Sequence, residues 1–184
     1  ALLTDENTLT VAVDNSKNDR VYPQKADFTF YGGIYRDVSL LVVSKNHIAL
    51  NYLGSCGVRI TPTVKGSSAD IRVQTRVEGE GEVEITVTDA AGSTVLNGTG
   101  ADTTLTMQHP HLWDGVRDPY LYNCTVRLVQ NGTAVDEVTQ RFGVRSFSVD
   151  PQKGFFLNGR AYPLHGVSRH QDRKGLGNAI TREM

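Results

Sequence analysis

The chain has 184 residues, with 19 Lys and Arg against 20 Asp and Glu and a formal net charge of -1. That balance excludes nucleic acid or an anionic membrane as a partner held by bulk charge. A content of 39% hydrophobic and 21% charged residues excludes a mainly disordered chain, and no apolar run approaches the ~18 residues of a bilayer-spanning helix.

Strict alternation of apolar and polar residues, the mark of half-buried strands, runs through the sequence. Residues 8–14 place Leu9, Val11 and Val13 on one face, and 15–19 are a polar loop. Residues 28–30 precede the Gly32-Gly33 pair, 38–43 form a second strong strand, and 47–52 offer a third. Residues 57–64 and 69–77 alternate around a turn at 65–68. A turn at 78–81 leads to a strand at 83–88 with its apolar residues at odd positions. Further strands are expected at 94–96, 103–107, 121–130 and 133–144. In 121–130 the core side is Tyr122, Cys124, Val126 and Leu128, and Asn131-Gly132 is a strong hairpin signal.

About seven strands in roughly 90 residues, each ended by a turn, predict an all-β, immunoglobulin-like sandwich. Tyr122, two residues before Cys124, has the spacing of a tyrosine corner, whose hydroxyl bonds to upstream backbone. An antibody-type disulfide would need a Trp about a dozen residues after the first Cys. The single Trp, Trp113, instead lies just upstream of Cys124, and Cys56 precedes the first clear sandwich strand. Cys56 and Cys124 are therefore expected as free thiols. With no CxxC pair, a structural zinc site is not expected.

After Gly143, residues 155–160 read as a short hairpin on a two-residue turn. Residues 162–167 read as a short buried strand, followed by the polar cluster 168–174. A buried strand ending in charged groups is what the first strand of an α/β barrel looks like. The chain opens at Ala1 without Met or a signal peptide, and 181–183 read as a helix start. Both ends are expected to be cuts in a longer protein.

Chemistry-bearing patterns are sparse. Glu78, Glu80, Glu82 and Glu84 read as a solvated face, and no GxSxG, HExxH, P-loop or GxGxxG occurs. His47 reads as structural and His165 as a core histidine. His109-Pro110-His111 reads as a surface bend in preference to a metal clip, with Pro110 holding His109 extended. His170, beside Arg169, Asp172 and Arg173 at the end of the expected barrel strand, is a candidate site residue. The sequons at Asn97, Asn123 and Asn131 are discounted, since such triplets arise by chance and Asn-Gly has its own role in turns.

Three segments in order resemble glycoside hydrolase family 2, most closely its β-galactosidases. Residues 21–38 (VYPQKADFTFYGGIYRDV) resemble the end of that family's sugar-binding jelly roll. Residues 109–113 (HPHLW) through 119–122 (PYLY) resemble its immunoglobulin-like middle domain. Residues 141–145 (RFGVR), 154–159 (GFFLNG) and 165–172 (HGVSRHQD) resemble the junction into its catalytic (β/α)8 barrel, with Ser168 where Asn is common. The resemblance implies jelly roll over 1–44, sandwich over 45–144 and a truncated barrel over 145–184.

It also implies the reaction. Family members are retaining glycosidases with two glutamates, and such carboxyls sit about 5–5.5 Å apart. The acid/base Glu of the family follows an Asn, and the sequence holds no Asn-Glu dipeptide. Both catalytic glutamates are thus expected outside this chain, leaving a non-catalytic piece of an enzyme that hydrolyses terminal β-galactosides. β-Glucuronidase, β-mannosidase and a free-standing carbohydrate-binding or adhesion sandwich are the alternatives.

By the same resemblance, Asp27 and His170 contact sugar, while Arg36 and Asp37 form a domain-packing pair. No metal is expected in this chain beyond Asp27 as a neighbour of sodium. No cofactor is expected in it either, magnesium or sodium being the ions open to the whole protein. The expected partner is a β-galactoside or related oligosaccharide. Leu9, Val11, Val13, Phe28, Phe30 and Val38, short of jelly-roll partners, would favour self-association.

Overall fold

A computed structural model describes residues 6–20, 32–52, 54–169 and 171–184. The chain divides into two compact units: Leu41–Leu164, and Ala1–Leu40 together with His165–Met184.

Leu41–Leu164 carries every strand among the described residues. In chain order they are β1 (His47–Ile48), β2 (Val58–Lys65), β3 (Ser68–Thr75), β4 (Val77–Glu78), β5 (Glu82–Thr88) and β6 (Thr94–Thr99). There follow β7 (Asp102–Gln108), β8 (Tyr122–Gln130), β9 (Thr133–Phe142), β10 (Phe147–Asp150), β11 (Gly154–Leu157) and β12 (Arg160–Ala161). A three-stranded sheet, β2-β3-β7, and a four-stranded sheet, β6-β5-β8-β9, form the sandwich; all pairings are antiparallel. β1 pairs with β4, and β10-β11-β12 make a separate small sheet. No helix occurs among the described residues.

The alternation seen in the sequence decides which side chains enter the core, because successive residues of a strand point to opposite faces. β3 buries Ala69, Ile71 and Val73; β5 buries Val83, Ile85 and Val87; β8 buries Tyr122, Cys124, Val126 and Leu128. Ile48 of β1, Val58 and Met107 from the three-stranded sheet, Phe142 at the end of β9 and Val144 just beyond it complete the cluster. Each fully buried aliphatic side chain contributes roughly 1.5–3 kcal/mol of transfer free energy. The opposite faces carry Arg72, Asp102, Arg127 and Glu137, which form the exposed ion pairs Arg72–Asp102 and Arg127–Glu137.

The β8–β9 hairpin closes at Gln130↔Thr133. Asn131 and Gly132 take φ of 50° and 75°, the two left-handed residues of a type I′ turn. Both cysteines are free thiols, as expected.

Several expectations are corrected. Residues 8–14 and 38–43 form no strand, and their apolar side chains are exposed, Leu9 at 85% and Val38 at 77%. Alternation marks a segment suited to a sheet, but a strand forms only where another supplies the ladder. Residues 47–52 contribute only the two-residue β1. Residues 162–167 are neither strand nor core: Val167 is 96% exposed and His165 is exposed too. Residues 181–184 hold a turn, not a helix.

His109 is not extended. Its φ is 48°, and its N–H donates to Ser67 O at 2.8 Å. Two residues on, His111 N donates to Tyr122 Oη. These anchors on either side of Pro110 outweigh the local pre-proline preference.

In the other unit, residues 173–177 form a tight turn, with Gly177 N donating to Arg173 O at 2.9 Å. Arg36 lies over the Tyr35 ring and donates from Nη1 to Asn178 O at 2.7 Å. It also donates to the adjacent Tyr35 O at 3.2 Å, so these bonds go to backbone, one of them far along the chain.

Candidate functional site

Asp27 and His170, the expected sugar-contacting residues, both lie outside the described residues. The same holds for Phe28 and Phe30. Arg169 is described and exposed.

Two carboxylates of the sandwich, Asp70 and Asp102, are paired with surface cations. Asp70 accepts from Lys65 Nζ at 2.5 Å and Thr106 Oγ1 at 2.9 Å, and these bonds hold its carboxyl below the usual range. Arg72 does the same for Asp102 through two bonds, at 2.7 and 2.5 Å. A glycosidase acid needs the reverse, a carboxyl kept protonated near neutral pH. Glu78, Glu80, Glu82 and Glu84 are exposed, in keeping with a solvated face. Among the described residues no group of three His, Cys, Asp or Glu side chains could hold a metal ion.

What the sandwich does build is a stiff junction at residues 109–118. Tyr122, pointing into the core from the start of β8, accepts a 2.8 Å bond from His111 N through its hydroxyl. This is the tyrosine corner expected from the Tyr122–Cys124 spacing. Burial pushes the Tyr122 phenol upward, because the phenolate would lose its water. The His111 ring stacks on Tyr120 at 3.9 Å with 5° between planes, and its Nε2 lies 2.6 Å from the Asp118 carboxylate. That arrangement fits a surface bend.

The same loop holds the β10–β12 sheet. Trp113 N donates to Val144 O at 2.9 Å, and the Arg145 guanidinium lies 5.0 Å from the Trp113 ring centre. Asn158, in the β11–β12 turn with φ of 49°, is the central fastener. Its Oδ1 accepts from Ser146 N at 3.0 Å, its N donates to Ser146 O at 2.9 Å, and its Nδ2 donates to Trp113 O at 3.0 Å. Arg160 pairs with Asp114, and Val116 N donates to Tyr162 Oη at 3.2 Å.

The sequence marks Asn158-Gly159 as a turn but not as this fastener. The left-handed Asn is the visible signal; its partners, 12 and 45 residues away, are not. The arrangement fixes the direction in which the chain leaves the sandwich.

Comparison with known proteins places this architecture. The model of the family described as "Glycosyl hydrolases family 2" matches residues 46–145. The chain is 38% identical over 192 residues to a β-glucuronidase of Bacteroides fragilis, covering 96% of this chain and 28% of that protein. It is 31% identical over 196 residues to β-galactosidase BoGH2A of Bacteroides ovatus, covering 96% and 22%. The crystal structure of the FMN-binding β-glucuronidase from Facaelibacterium prausnitzii L2-6 superposes with a TM-score of 0.85 at 37% identity, covering 92% of this chain and 27% of that one. The chain thus spans roughly a quarter of the length of these relatives. With the sandwich formed and the family model matched across it, the chain belongs to glycosyl hydrolase family 2.

Proposed function

We propose that this chain is the non-catalytic, sandwich-bearing part of a retaining β-glycosidase whose substrate is a terminal β-glucuronide. The observation that carries the sugar assignment is the 38% identity, across nearly the whole chain, to a β-glucuronidase. A β-galactoside is the second reading, favoured by the 31% identity to BoGH2A.

In this reading residues 1–44 end a sugar-binding jelly roll, 45–144 are the spacer sandwich, and 145–184 begin the catalytic barrel. Asp27 and His170 contact the terminal sugar. The nucleophile and acid/base glutamates belong to later barrel strands and lie outside this chain. The committed surface ion pairs of Asp70 and Asp102 support that division of labour. The exposed Leu9, Val11, Val13 and Val38 support self-association of the separated piece.

The test is hydrolysis of nitrophenyl β-glucuronide, β-galactoside and β-mannoside by this chain and by the full reading frame, side by side. The expected result is turnover by the full protein alone, fastest on the glucuronide. A preference for galactoside replaces the first reading with the second. Turnover by this chain alone, abolished by substituting its own carboxylates, refutes the non-catalytic assignment.

A further inference from the structure

We propose that Asn131 is a site of spontaneous deamidation, and that the fold protects the chain's other two Asn-Gly pairs from the same reaction. The three pairs are Asn97-Gly98, Asn131-Gly132 and Asn158-Gly159. In each the glycine has no Cβ to hinder its own backbone nitrogen from approaching the preceding side chain.

The reaction needs only water. The glycine nitrogen gives up its proton and attacks Cγ of the asparagine, forming a C–N bond. The side-chain Nδ2 leaves with protons as ammonia, and a cyclic imide remains. Water then adds to one imide carbonyl and that C–N bond breaks. Opening on one side leaves aspartate; opening on the other leaves isoaspartate.

Structure separates the three pairs. Asn97 and Gly98 lie within β6, in register with Thr86 and Ile85 of β5. Closing the imide there requires rotation out of the extended conformation, and so local loss of the ladder. At Asn158 the amide is engaged at both ends, by Ser146 N and by Trp113 O. Cγ cannot swing toward Gly159 until both bonds open.

Asn131 has neither restraint. It is exposed at the tip of the β8–β9 hairpin, beyond the closing pair Gln130↔Thr133. Among the described residues its side chain has no hydrogen-bond partner. Gly132 is exposed as well, and a Cβ built on it would meet nothing within 4 Å. The nitrogen, the carbonyl and the attacking water all have room.

Conversion replaces a neutral amide with a carboxylate, taking the formal net charge of -1 one step further negative. Isoaspartate also adds a backbone carbon to a two-residue turn. The turn joins β8 to β9, the outer strand of its sheet, so the added carbon falls at the end of that pair.

The test holds the folded protein at mildly alkaline pH and physiological temperature and maps its peptides by mass, each conversion adding about 1 Da. The Asn131 peptide is expected to convert first. The Asn97 and Asn158 peptides should lag by about tenfold or more, because they react only from locally opened conformers. In urea the three rates should converge. Labelling by an isoaspartyl methyltransferase should fall on the 131 peptide, and Asn131→Gln should remove the early conversion. Equal rates in the folded protein, the same ranking in urea as in buffer, or early conversion persisting in Asn131→Gln would each overturn the proposal.

Discussion

Replacing Tyr122 with Phe isolates one hydrogen bond at the centre of the junction. The ring is only 4% exposed and packs edge-on against Tyr120 at 5.1 Å and beside Phe142 at 5.8 Å. Phe preserves that packing. What disappears is the 2.8 Å bond from His111 N, leaving a part-buried backbone donor without its acceptor. A net hydrogen bond is worth about 0.5–1.5 kcal/mol, and stranding a buried donor costs about 1–3 kcal/mol. The expected loss is therefore about 1–2 kcal/mol. At about 3–6 °C per kcal/mol for a cooperative unit of this size, that lowers Tm by roughly 3–12 °C.

Urea unfolding followed by tryptophan fluorescence reads it directly through Trp113, with the m-value unchanged if the native fold is kept. Tyr120→Phe is the control. Its hydroxyl accepts a longer, 3.3 Å bond from exposed Ala90 N, and the loss should be smaller. A Tyr122→Phe change within about 0.3 kcal/mol of wild type, or no larger than that of Tyr120→Phe, refutes the claim that the corner bond holds the loop.

Three further outcomes are expected. Leu128→Ala, at a fully buried position between the sheets, should cost about 2.7–5 kcal/mol in the same unfolding assay, since a cavity is added to the lost transfer energy. Asn158→Ala should cost about 1–3 kcal/mol by removing two side-chain bonds, to exposed Ser146 N and to part-buried Trp113 O, each worth about 0.5–1.5 kcal/mol net; hydrogen exchange should speed up in β10–β12 while β3, β5 and β8 stay protected. Burial pushes the Cys124 thiol from 9.0 up to about 11. The unfolded thiol ionises first, so stability is full below pH 9 and falls as pH rises toward 11, by on the order of 2 kcal/mol. Cys124→Ala should remove that part of the alkaline slope, and a thiol reagent should modify Cys56 long before Cys124 in the folded protein.

The sandwich was legible because its signals are local. β3, β5 and β8 alternate through their length, and a period of two leaves only the choice of which face is buried; the apolar face settles it. Asn131-Gly132 named its own turn, and Tyr122 two residues before Cys124 named the corner. The same reasoning failed at residues 8–14, where alternation is as strict, and at 38–43, an apolar run broken only by Ser39; no strand forms at either. It failed again at 162–167, whose apolar composition is not matched by burial. β10 alternates, but over only four residues, Phe147–Asp150, too short a run to stand out from loop sequence.

The amino-acid sequence by itself determined the sheet-forming segments, their inward faces, the free thiols and, through resemblance, the family. Tertiary structure alone decided which segments found a ladder, why His109 turns left-handed before a proline, and that Asn158 joins the β10–β12 sheet to Trp113. The physical reason is the range of the forces involved. A side chain's preference for one face is written every second residue, whereas a hydrogen bond between residues 45 apart exists only after both segments have been brought to the same place.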